Sequence, residues 1–172
     1  MMQTGSLTPT ALGWVREDLD REIERVRAQV ETIADNPNAG AVVIEGAVER
    51  LEELDGIFET LVMDGPRQVT GEMRRLIASM ENGQADNREA IGSALLEAMV
   101  VLPAYLDRVQ AGHPDLPLLL LPLINQMRAS AGEEPLSGGQ VFTPSLDVEL
   151  PELETVQKPG FDEPFSYLTE RL

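Results

Sequence analysis

VERLEELDGIF, residues 48–58, sets Val48, Leu51, Leu54 and Phe58 three or four positions apart. That spacing matches the helical turn, so the four side chains share one face. Glu49, Arg50, Glu52, Glu53 and Asp55 fall off that stripe. The stretch reads as an amphipathic helix with an apolar inner face and an acidic outer one.

The same period extends along the chain. Around the quoted stretch, Ile44, Ala47, Leu51, Leu54, Phe58 and Leu61 predict a helix from about Ala39 to Met63, stopped at MDGP. Upstream, Leu12, Val15, Leu19, Ile23, Val26, Val30 and Ile33 form a second stripe, with Thr8 as N-cap, Pro9 at the first helical position and DNPNAG as its end. Downstream, Val69, Met73, Leu76 and Met80 mark a helix from Pro66 to about Glu81. Ile91, Leu95, Met99, Leu102 and Leu106 mark another, opened by a capping box of Asp86 and Glu89, bent at Pro103 and running toward Gly112. A shorter helix is expected from Leu116 to about Ala131, buried at its apolar start.

Long helices joined by short turns pack as antiparallel neighbours. The fold class is therefore all-α: an antiparallel bundle of four long helices plus a shorter fifth over residues 8–131. Residues 132–172 change character, with frequent prolines, acidic charge and scattered apolar residues. They read as an acidic, Pro-rich linker or tail able to lie along the bundle, leading to further domains.

The 172 residues carry a formal net charge of −17 and no cysteine. Such a chain repels phosphate backbones and anionic headgroups, so neither nucleic acid nor a membrane surface is an expected partner. The longest apolar run, LPLLLLPLI at residues 116–124, falls short of the roughly twenty residues a bilayer span needs. A cytoplasmic setting suits the missing thiols. Disulfides, thiolate metal sites and cysteine nucleophiles are excluded.

Catalytic and metal-binding candidates are few, and no cofactor is expected. The single histidine, His113, lies in the loop AGHPDL, where a solvated side chain is the simple reading. A carboxylate-bridged di-metal bundle needs Glu-x-x-His on each of two helices, which one histidine cannot supply. Asp64 and Gln68 have an acid–amide spacing able to position water, but Gly65 and Pro66 between them favour a helix boundary. SGGQ, residues 137–140, reads as a flexible spot with no following helix to cradle a phosphate. Trp14 reads as a half-buried anchor, and the Arg/Glu/Asp mixture of residues 16–27 as a solvated, ion-paired face.

An all-helical bundle whose second long helix shows a polar face resembles the histidine phosphotransfer (HPt) fold. That family carries its phosphoaccepting histidine on such a helix in H-x-x-x-G, and EELDG, residues 52–56, keeps the glycine with Glu52 in the histidine position. LGWVREDLDREI (12–23) and VVLPAYLDRVQAGHPDLPLLLLPLINQMRASAGEEPLS (100–137) are similar to the N-terminal, FimL-like module of the ChpA/PilL type of CheA-like hybrid histidine kinase. The resemblance implies a degenerate HPt-like bundle in phosphorelay signalling for type IV pili and twitching motility, without phosphotransfer of its own. It further implies docking of response-regulator receiver domains or polar scaffold proteins, with the cell pole reached through such partners. The candidate docking face is Glu49, Glu52, Glu53 and Gly56, which needs a complementary basic or dipolar surface. The alternative is a purely structural or dimerising bundle; a monomer or weak dimer is expected.

Overall fold

The computed structural model describes residues 7–36, 41–81 and 87–141. Its helices are α1 (Leu7–Asp35), α2 (Ala41–Thr60), α3 (Asp64–Glu81), α4 (Arg88–Gln110), α5 (Leu121–Ser130) and a single turn, α6 (Gly138–Val141). A 3-10 turn, Pro117–Leu119, precedes α5. Every regular element among the described residues is helical.

The apolar stripes meet in one core. Five of the stripe residues, Ile44, Ala47, Leu51, Leu54 and Phe58, are buried in α2 and the sixth, Leu61, just past its end, as are Leu19, Ile23 and Val26 of α1, Met73 and Leu76 of α3, and Leu95 and Leu102 of α4. α1 packs mainly on α4 and then on α2, α2 on α3, and α5 closes against α3 and α4. Side-chain pairs show that chain neighbours run antiparallel. Arg50 of α2 lies 2.9 Å from Glu22 of α1, while Gly46 sits beside Gln29. At one end of the α1–α4 pair Arg16 Nη2 reaches Asp107 at 2.8 Å; at the other, a Cβ on Gly92 would come within 2.9 Å of Ala34. By length and composition α4 could cross a membrane, yet half of its most apolar stretch is buried inside the bundle.

Several helix ends differ from expectation. α1 already includes Leu7 and Thr8, with Pro9 in its first turn, where a missing N–H costs little. DNPNAG from Pro37 onward and Asp86 lie outside the described residues. Asn87 caps α4 instead, its side chain accepting from Ala90 N. α4 continues through Pro103 without a break. The C-terminus of α1 is met from across the interface by Arg88, which donates to Ile33 O at 3.2 Å.

α2 stops at Thr60 because the chain turns into a Schellman cap. Met63 N donates to Phe58 O at 2.9 Å and Val62 N to Glu59 O at 3.0 Å. Val62 takes the left-handed position of that cap, with φ 56°. The predicted fifth helix is divided: Pro117–Leu119 forms a 3-10 turn, and α5 begins at Leu121 with Pro122 in its first turn. SGGQ overlaps a helical turn rather than a loop, but four residues make no anion site. Trp14 is 82% exposed, not half-buried, because Val15 takes the inward position beside it.

The chain stays on the bundle beyond α5. Asn125 donates to Leu136 O at 3.0 Å and accepts from Leu136 N at 2.7 Å. Arg128 pairs with Glu72 of α3 at 3.1 Å and with Glu133 at 3.3 Å. Gln68 donates to Val141 O at 2.9 Å, so its amide serves the C-terminal segment rather than a water held with Asp64. Residues 142–172 lie outside the described ones.

Candidate partner-docking face

α2 turns Glu49, Glu52, Glu53 and Gly56 outward together, and all four are exposed. The cause is the burial of Leu51, Leu54 and Phe58 on the opposite side, which fixes the rotation of the helix. Arg50 flanks the crest toward α1, through its pair with Glu22. The other flank faces α3.

That second flank is less acidic than the sequence implies. Arg74 of α3 lies 3.1 Å from Glu52, and Arg67 lies 3.5 Å from Asp55 and 3.6 Å from Glu59. Thr70 adds a hydroxyl bonded to Arg67 O at 3.0 Å, with Asp55 at 3.4 Å. Antiparallel packing brings these residues opposite one another. Glu52 therefore shares its charge with Arg74. Glu49 and Glu53 have no ion-pair partner among the described residues. The strip is acidic along its crest and paired along the α3 seam.

Gly56 lies on that crest, and a Cβ built there would meet nothing within 4 Å. Packing therefore supplies no reason for glycine inside this helix, where it costs about 1 kcal/mol relative to alanine. Gly56→Ala is expected to raise stability by about 0.5–1 kcal/mol in urea unfolding. A loss of stability would show a packing role that the open space denies.

The residues of the LPAYLDR and DLP segments meet elsewhere, at the end of the bundle. Tyr105 donates its hydroxyl to Asp115 Oδ1 at 2.5 Å and accepts from Leu116 N at 2.6 Å. Asp115 Oδ2 accepts from Gly65 N at 3.2 Å, in the first turn of α3. A Cβ on Gly65 would approach Asp115 Oδ1 to 2.7 Å, so the glycine admits this contact. Arg108 donates to Pro114 O at 3.2 Å. These residues pin the loop rather than perform chemistry. Burial and the Asp115 carboxylate hold the Tyr105 hydroxyl well above the usual tyrosine range. His113 is exposed in the loop, as expected. Among the described residues no three His, Asp or Glu side chains gather as a metal site.

The described residues place the chain in the class of all-helical bundles, with a charged crest on α2. The chain is homologous to Scaffold protein FimL of Pseudomonas aeruginosa, with 31% identity over 151 residues, 87% of this chain. It spans 26% of that relative's length. The relative is named as a scaffold, in agreement with a module that is not an enzyme. No protein-family model matches the chain, and no solved structure does.

Proposed function

We propose that this chain is a non-catalytic docking module in phosphorelay signalling that controls type IV pili and twitching motility. In this reading it belongs with the N-terminal modules of ChpA/PilL-type kinases. It binds receiver domains of response regulators, or polar scaffold proteins, through the outer face of α2, and acts in the cytoplasm, reaching the cell pole through them. The homology to a scaffold protein supports protein contact as its role. The observation that carries the site is Gly56, bare on a crest with Glu49 and Glu53 beside it and unneeded for packing. A glycine gap admits close approach of a partner backbone, and free carboxylates favour basic groups at its rim.

The test is an NMR titration with the receiver protein of the same pilus system, with and without a phosphoryl mimic. Shifts are expected around Glu49, Glu52, Glu53 and Gly56. Gly56→Arg, which fills the gap while leaving the core untouched, is expected to weaken binding at least about tenfold, or about 1.4 kcal/mol. Shifts confined to other helices would remove the α2 face from the proposal; none at high concentration would remove receiver binding.

The alternative is a dimerising structural bundle, and Trp14, 82% exposed on α1, favours it. Light scattering at twice the monomer mass, lost in Trp14→Ala, would establish that reading.

A further inference from the structure

The end of the bundle opposite the α1–α2 turn carries an apolar surface separate from the α2 crest. Leu116, Leu118 and Leu119 are 38%, 45% and 50% exposed. Next to them a cleft of about 190 Å³ is lined by Pro9, Val62, His113 and Pro114. That is room for one leucine-sized group, since a cavity of about 150 Å³ takes up benzene. Val62 is 76% exposed and left-handed at φ 56°. A β-branched residue is strained in that conformation, glycine would fill the same cap without strain, and so exposed a valine adds little to the core. Tyr105, Asp115 and Arg108 pin the backbone that bears the leucines. Apolar side chains are thus held out on a stiff frame, one of them at an energetic cost.

Charge and shape together select the occupant. The chain carries a formal net charge of −17, so two copies repel wherever their helix flanks approach. From residue 109 to residue 127 the only formally charged side chain is Asp115, and its carboxylate is turned inward to Tyr105 and Gly65 N. Contact end to end therefore keeps the acidic flanks of two copies farthest apart. As for shape, projecting leucines stand beside a recess of leucine size on one face. A two-fold axis through that face sets the knobs of each copy against the recess of the other, the self-complementarity that an isologous contact needs. Apolar patches of a few hundred Å² mark contact sites, whereas a stable complex buries roughly 800 Å² per partner. This face is sized for a reversible, concentration-dependent pair.

We propose that a second copy of this chain packs on this end face, the leucines of each copy seated in the cleft beside the other's Val62. The dimer is two-fold and end to end, and it leaves both α2 crests open. It is independent of what binds α2, and it does not use Trp14, which stands on the flank of α1.

Sedimentation velocity of the full chain over a concentration series, at about 0.05 M and about 0.5 M salt, tests the dimer. A reversible monomer–dimer equilibrium is expected, with the dimer fraction rising at high salt as repulsion between the copies is screened. Leu119→Asp is expected to abolish the dimer. Val62→Gly is expected to weaken it about tenfold while raising the melting temperature, which separates loss of contact from loss of fold. Val42→Asp, exposed at the far end of α2, and Trp14→Ala are expected to leave it unchanged. A monomer at every concentration and salt would overturn the proposal, as would a dimer that survives Leu119→Asp. A dimer lost in Trp14→Ala would move the contact to the flank of α1, and one dissociated by salt would be held by charge; either result removes the end face.

Discussion

Phe58→Ala is expected to lower stability by about 3–5 kcal/mol, while Glu53→Gln, five residues earlier on the same helix, stays within about 0.5 kcal/mol of the parent. Phe58 is fully buried among the largest core side chains, beside Leu54 and Leu51. Truncating it removes a ring's worth of apolar contact and leaves a cavity that fixed neighbouring helices fill only in part. Glu53 is exposed and has no ion-pair partner among the described residues, so neutralising it removes little from the folded state. Urea unfolding of the two variants under one set of conditions checks the pair. A cost below about 1 kcal/mol for Phe58→Ala would contradict the rotation assigned to α2, and with it the outward placement of Glu49, Glu52, Glu53 and Gly56. A null result for Glu53→Gln also lets any change in partner binding by that variant be read as binding.

The rotation of α2 was legible in the sequence because burial imposes a period that a run of twenty residues repeats several times. Once Leu51, Leu54 and Phe58 face inward, the exposure of Glu52 and Gly56 follows as the complement. The Arg74–Glu52 and Arg67–Asp55 contacts were not legible, because they depend on the register between α2 and α3. That register is set by the length of the cap at Leu61–Met63, where valine rather than glycine holds the left-handed position. The arginines at positions 67 and 74, seven apart on the helix that follows an acidic one, were the available signal. Helix ends fared worse than faces. Val62 ended α2 early, and two prolines broke the fifth helix into a 3-10 turn and α5. Trp14 shows the same limit from the other side: one large apolar residue has no period, and its neighbour Val15 took the inward position.

Asp115→Ala is expected to cost about 2–4 kcal/mol, more than any other single loop substitution between α4 and α5. Two losses combine. Asp115 accepts from Gly65 N at the start of α3, and losing such a cap typically costs about 0.5–2 kcal/mol. It also accepts the Tyr105 hydroxyl, and Tyr105 is 5% exposed, so the donor stranded by alanine carries a penalty of about 1–3 kcal/mol. Tyr105→Phe alone removes the hydroxyl that Leu116 N donates to, at an expected cost of about 1–2 kcal/mol. Because the two side chains share one bond, the double variant should cost less than the sum of the singles, by about 0.5–3 kcal/mol. Strict additivity in urea unfolding would mean that the node is not a unit. Alkaline pH gives an independent check. Burial first, and then the hydrogen bond and charge of Asp115, raise the tyrosine's folded pKa above its unfolded value near 10. The folded state thus holds this proton more tightly than the unfolded chain, so stability from the neutral hydroxyl is complete below pH about 10 and falls as pH rises beyond it. Tyr105→Phe has no such proton, so its stability should decline less steeply than the parent's above pH about 10. Parallel decline of the two proteins would place the Tyr105 hydroxyl in contact with water and break the link between α3, α4 and the loop that presents Leu116.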